Sequence, residues 1–230
     1  MSEDHDGHIP TPDYSHLDST DFERVYEPSE DTFILLDALQ SERHHLATQR
    51  PLICVEIGSG SGLVLAFLAR LLSKQEQLVC IATDINECAA QATRKTLERN
   101  RVVGDVIVTD LLTSLSTRLS ALVDVLLFNP PYVVTECVPG SRGLESAWAG
   151  GERGRHVMDR VLPEVDRLLS PGGVFYLVVI EENDPDEISS LLETRGLTVK
   201  RILSRRAGRE RLVVLKASKL RDFYHNYLTN

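Results

Sequence analysis

Apolar and polar positions fall into two alternating patterns along most of the chain. Residues 52–57, 78–83, 106–109, 123–128 and 174–180 are short, nearly unbroken apolar runs, the signature of strands buried on both faces. Between them lie stretches of helical spacing: an apolar helix over 63–72, a helix capped by Asn86 that runs to about Arg99, one over 153–169 with Val157, Val161, Val165 and Leu168 on one face, and one over 186–194. An earlier helix starts at Ser29 as its cap, with Asp31 and Thr32 in the first turn and Phe33, Ile34, Leu35, Leu36 and Leu39 on its apolar side. Residues 197–203 and 211–215 predict a closing antiparallel pair. Strands that alternate with helices in this order predict an α/β domain with a parallel sheet covered on both faces. We read residues 1–20 as a flexible tail, 21–218 as one domain, and 219–230, with Phe223, Tyr224 and Tyr227, as a loosely packed or disordered C-terminal tail.

Charge narrows the partners. The net charge of -9 argues against broad electrostatic holding of nucleic acid, which needs lysine and arginine against phosphate. The basic stretch from Arg205 to Arg211 reads as a solvated hairpin turn. No apolar run reaches the ~20 residues of a membrane span, and residues 1–22 lack the basic start and apolar core of a signal peptide. A cytoplasmic location, with the nucleus as a second, is the expectation. Cys54, Cys80, Cys88 and Cys137 form no C-x-x-C pair, so no metal site is expected. His5, His8, His44 and His45 read as solvated tail and loop residues.

The first strand runs into Glu56-Ile57-Gly58-Ser59-Gly60-Ser61-Gly62, and a helix follows at once. Glycines permit the tight turn and let the backbone approach a ligand, while the helix start offers free N–H groups. Asp84 ends the second strand, where it can accept both hydroxyls of a ribose; Asp110 ends the third, where it can accept the amine of an adenine. With Glu56 they set three carboxylates at the ends of neighbouring strands. An acidic cradle suits a sulfonium cofactor with a methionine ammonium and fits poorly with the phosphates of a dinucleotide.

The fourth strand ends in Asn129-Pro130-Pro131-Tyr132. A planar NH2 group with a delocalised lone pair is barely nucleophilic. It gains reactivity when both hydrogens are held by acceptors that pull it toward tetrahedral geometry. The Asn129 side-chain oxygen and the Pro130 carbonyl can be those acceptors, with the prolines fixing the backbone. The Tyr132 ring is expected to stack on the flat substrate group.

At these residues the chain resembles a known family. N-P-P-Y with E-x-G-x-G-x-G resembles the HemK-type glutamine-N5 methyltransferases and the adenine-N6 methyltransferases. Val25-Tyr26-Glu27-Pro28-Ser29-Glu30-Asp31-Thr32-Phe33, and Trp148-Ala149-Gly150-Gly151 with Gly154-Arg155 and Val157-Met158-Asp159, resemble the eukaryotic and archaeal HemK-like branch over about residues 24 to 216. The resemblance implies a class I S-adenosylmethionine-dependent methyltransferase: a Rossmann-like seven-stranded sheet with an antiparallel last strand. It implies as substrate the glutamine of the Gly-Gly-Gln motif of the eukaryotic class 1 translation termination factor. It implies Thr32, Glu56, Gly58, Asp84, Asp110, Leu111 and Asn129 as cofactor residues and Asn129, Pro130 and Tyr132 as substrate residues. It also implies a small zinc-binding activator subunit, and lysine methylation as a second activity. About 25 residues precede the Tyr26 segment, too few for the helical substrate-binding domain of the bacterial branch, so docking is expected to rely on the partner or the Trp148 loop. The strand over 105–110, expected at a sheet edge with Val106, Ile107 and Val108 uncovered, is where a partner would sit. Two other readings are an adenine-N6 nucleic-acid methyltransferase, against which the acidic charge counts, and a non-catalytic platform, against which the intact motifs count.

Overall fold

The computed structural model describes residues 7–75, 77–135 and 144–221. The elements run α1 (Glu30–Ser41), α2 (Arg43–Gln49), β1 (Ile53–Ile57), α3 (Leu63–Leu71), β2 (Val79–Asp84), α4 (Glu87–Arg99), β3 (Asp105–Val108) and β4 (Val123–Phe128). They continue with α5 (Met158–Val161), α6 (Val165–Leu168), β5 (Leu169–Ile180), α7 (Pro185–Glu193), β6 (Leu197–Ala207) and β7 (Glu210–Lys219). The strands form one seven-stranded sheet in the order β3-β2-β1-β4-β5-β7-β6. β1 to β5 pair in parallel and β7 inserts antiparallel between β5 and β6. Strand order reverses between β1 and β4, so the carboxyl ends of those two strands open a crevice.

The apolar runs are central because both sides are covered. Every residue of β5 from Gly173 to Ile180 is buried, which requires packing on both faces of the sheet. α3 buries every residue except Arg70 and is the core helix between α1 and α4. α6 lies on β5, and α7 on β6 and β7. Asn86 caps α4 as its sequence predicts, its side-chain oxygen accepting from the Cys88 N–H at 2.9 Å. Thr32 closes the first turn of α1, its hydroxyl accepting from the Ser29 N–H at 3.4 Å.

Three expectations change. Residues 7–20 do not lie free but are strapped across α4. Asp13 and Asn100 exchange hydrogen bonds of 2.8 Å, Arg99 pairs with Asp13, and Leu17 is buried with Val25, Ala89 and Ala92. Polar composition suggested a tail, but Leu17 buries apolar surface and long-range polar contacts hold the rest. The helix expected over 153–169 starts only at Met158, after a loop with Gly154 at φ +65°, and Pro163 divides it through a 3-10 turn into α5 and α6. α2, absent from the sequence reading, buries Leu46 alone, too short a pattern to reveal itself. Cys54, Cys80 and Cys88 are free thiols, and Cys54 and Cys80 are buried. Cys137, His5, and the C-terminal tail beyond Arg221 with its aromatic residues lie outside the described residues. Among the described residues no helix is long and apolar enough to cross a membrane.

Candidate active site

A cavity of about 270 Å³ opens at the carboxyl ends of β1, β2 and β4, where strand order reverses. Its floor is the turn from β1 into α3. Gly58, Gly60 and Gly62 all have positive φ. At Gly62 (φ +78°) a Cβ would stand 2.7 Å from the Thr93 Cα, so only glycine lets α3 begin this close to α4. Glu56, at 3% exposure, reaches over this turn and accepts the Leu65 N–H at 3.0 Å near the start of α3. Burial, with Asp84 nearby, pushes its carboxyl well above the ordinary carboxylate range. A cationic ligand group would restore the charge, and an ammonium is the natural partner for this carboxylate.

Asp84 ends β2 and fixes the far wall. Its oxygens accept the N–H groups of Gly60 at 2.9 Å and Asn86 at 2.8 Å, so the carboxylate faces the cavity in one orientation. Burial raises its pKa despite those bonds. Asp110 and Leu111 line the cavity after β3. Leu111 takes a left-handed φ of +53°, and Asp110 is held by Arg160 from α5 at 2.6 Å, an ion pair that the sequence did not reveal.

The opposite side of the cavity is made by the Asn129-Pro130-Pro131 stretch after β4, by Tyr26, and by the first turn of α1 with Asp31 and Thr32. The Asn129 side-chain nitrogen donates to an Asp31 carboxylate oxygen at 3.1 Å. Its Oδ1 is buried and has no hydrogen-bond partner. Buried polar atoms normally find partners, so an unpaired acceptor beside this cavity stands out.

The structure thus places Thr32, Glu56, Gly58, Asp84, Asp110, Leu111, Asn129 and Pro130 on one cavity wall or another. Tyr132 is the exception. It is buried to 8% exposure behind that wall, close to Asp31 and Tyr26, and burial raises the pKa of its hydroxyl. The expected stacking of its ring on a substrate is not what this geometry presents. The ring supports the Asn129 stretch from behind, because its backbone is pinned into the core. The Asn183 side-chain nitrogen donates to the Tyr132 carbonyl at 2.8 Å and to the Arg153 carbonyl at 3.1 Å. Asn183 Oδ1 accepts the Ile180 N–H at 2.8 Å. Gly154 presses on the same carbonyl so closely that a Cβ there would lie 2.0 Å from it. Trp148 stands 37% exposed, and its carbonyl accepts the Val133 N–H at 2.9 Å, tying its loop to the Asn129 segment.

Asp31, Asn183 and Arg160 escaped the sequence reading as site residues. Only Asp31 left a trace, as the neighbour of Thr32 in a helix start. The others sit far along the chain from the motifs they serve.

A sheet in this order, with a glycine turn, a buried carboxylate after β2 and an Asn-Pro-Pro-Tyr after β4, defines a class I S-adenosylmethionine-dependent methyltransferase fold. Comparison with known proteins agrees. The Methyltransferase small domain family matches residues 30–140. The human protein "Methyltransferase HEMK2" is 51% identical over 210 residues, covering 91% of this chain and 96% of its own. The fission yeast "eRF1 methyltransferase catalytic subunit mtq2" is 37% identical, covering 92% of this chain and 96% of its own. A solved structure of the Encephalitozoon cuniculi Mtq2-Trm112 complex, described as responsible for methylating the eRF1 translation termination factor, is 30% identical. It superimposes with a TM-score of 0.63, covering 85% of this chain and 98% of that one. The chain belongs to the HEMK2 family of methyltransferases.

Proposed function

We propose that the protein methylates the side-chain amide nitrogen (N5) of the glutamine in the Gly-Gly-Gln motif of the eukaryotic class 1 translation termination factor, with S-adenosylmethionine as methyl donor. The observation that carries this reading is the buried, unpartnered Asn129 Oδ1 at the end of β4, opposite a carboxylate-lined glycine turn. The cavity fits the cofactor. Glu56 would hold its ammonium, Asp84 its ribose hydroxyls, Asp110 its adenine amine, and Thr32, Gly58 and Leu111 would complete the walls. When bound, the cofactor supplies an electrophilic methyl group on a positively charged sulfur.

The chain's own residues prepare the acceptor nitrogen. Asn129 Oδ1 and the Pro130 carbonyl hold the two amide hydrogens, which turns the nitrogen's lone pair out of conjugation and toward the methyl. A neutral amide needs no general base in advance, because its proton becomes acidic as the methyl arrives. The relatives' names support the substrate: one is described as an eRF1 methyltransferase, another as part of a complex that methylates eRF1. A termination factor as substrate puts the enzyme in the cytoplasm. The adenine alternative sits poorly with a net charge of -9, and a lysine side chain would be a second substrate of the same pocket.

The Encephalitozoon relative is described as a complex with Trm112, and we propose a small zinc-binding activator subunit here too. β3 is a sheet edge as expected, but of the valines and isoleucine expected bare Val106 is buried and Ile107 half-buried against the core; Val108 at 44% and the nearby Val103 at 90% exposure support the partner. Unpaired backbone beside bare valines suits an added strand. The experiment is mass spectrometry of the termination factor after incubation with the chain, the subunit and S-adenosylmethionine. A 14-dalton gain on the Gly-Gly-Gln glutamine is expected, and transfer to adenine in nucleic acid instead would overturn the reading.

A further inference from the structure

Asn129 has an amide whose two ends are nearly the same shape, yet only its oxygen can hold an N–H group of a substrate. Something must keep the oxygen end toward the cavity. The Asn129 Nδ2 faces an Asp31 carboxylate oxygen at 3.1 Å, and a carboxylate oxygen accepts hydrogen bonds, so the nitrogen end is the one that can sit there. Asp31 is itself held hard. It is 4% exposed, its Oδ1 accepts the Thr32 N–H at 2.7 Å and the Thr32 hydroxyl at 3.3 Å, and Tyr26 and Tyr132 lie close beside the carboxylate. Two donors in the first turn of α1 therefore fix one buried carboxylate, which fixes one amide.

We propose that Asp31 is a positioning residue for methyl transfer: it locks the Asn129 side chain as an acceptor toward the substrate nitrogen. The inference rests on the reading of Asn129 as the amide acceptor and adds the residue that sets its orientation.

Asp31→Asn separates positioning from simple support. The substituted amide keeps the size and shape of the carboxyl but has one oxygen. With that oxygen on the Thr32 N–H, its NH2 meets Asn129, which must then turn its own oxygen to it. A donor now faces the cavity where an acceptor is required. The full-length chain, wild type and variants, would be assayed with labelled S-adenosylmethionine on a glutamine-bearing peptide, and S-adenosylhomocysteine affinity would be measured by calorimetry as the folding check. For Asp31→Asn we expect kcat to fall about 100-fold or more, with KM for the peptide and affinity for S-adenosylhomocysteine within about threefold of wild type. In the Asn129→Ala background the same change should cost nothing further, since Asp31 would have nothing left to orient. Wild-type kcat in Asp31→Asn, or a loss that multiplies with that of Asn129→Ala, overturns the Asp31 assignment while leaving Asn129 in place. Undiminished turnover in Asn129→Ala overturns the acceptor reading itself, and the Asp31 assignment with it.

Discussion

On the β1–β2 side of the cavity the contacts are local in sequence. Gly60 reaches Asp84 across 24 residues, Leu65 reaches Glu56 across 9, and Asn86 reaches Asp84 across 2. On the β4 side they are not. Asn129 meets Asp31 across 98 residues, and Asn183 meets the Tyr132 carbonyl across 51. The first side is a backbone cradle made by a turn, and its geometry follows from where glycines fall. The second is an assembly of side chains from α1, the β4 end, the Gly154 loop and the end of β5. Binding a cofactor tolerates a cradle that many sequences can form. Aligning a weak nucleophile needs atoms held to fractions of an ångström, and long-range packing supplies that rigidity.

The largest effect is expected at the assembled side. Asn129→Ala should lower methyl transfer about 1,000-fold in single-turnover assays while calorimetry finds cofactor affinity nearly unchanged; equal losses in both would erase the division between the two sides. Next comes Gly154→Ala. Its Cβ would fall 2.0 Å from the Tyr132 carbonyl, at a φ of +65°, so about 2–4 kcal/mol of stability should be lost in denaturant unfolding. If the loop absorbs that clash without loss, the Asn129 stretch is less tightly braced than its contacts imply.

The cradle side should respond more mildly. Asp84→Ala removes a carboxylate that faces the ligand and orients Gly60, and cofactor affinity should drop about 10- to 100-fold, with kcat at saturating cofactor largely kept. A fall confined to kcat would contradict a binding role. The smallest effect concerns Glu56. Burial raises its pKa in the folded chain well above the ordinary 4.5, so the folded state keeps a proton that the unfolded chain releases. The cofactor-free protein should therefore lose stability as pH rises above 4.5, and keep it in full below that value. Glu56→Gln should reduce that slope, leaving the share from Asp84, and raise Tm at pH 8 by about 2–4 °C, while weakening the cofactor's ammonium contact; an unchanged or steeper slope in the variant would mean that Glu56 is not the group responsible.

The sequence by itself determined the sheet's strands, the capped start of α4, the glycine turn, and the carboxylates after β1, β2 and β3. Each depends on spacing within a few residues, which the chain carries openly. Residues 7–20 and the helix over 153–169 were misread because their fate depends on distant partners: Asn100 and Arg99 for one, and for the other the demand of the Tyr132 carbonyl for Gly154. Only the tertiary structure decided that Tyr132 stands behind the wall rather than on it, that Arg160 clasps Asp110, and that Asp31 aims Asn129. A side chain's orientation is set by what it packs against, and here those neighbours lie tens of residues away, where no local pattern records them.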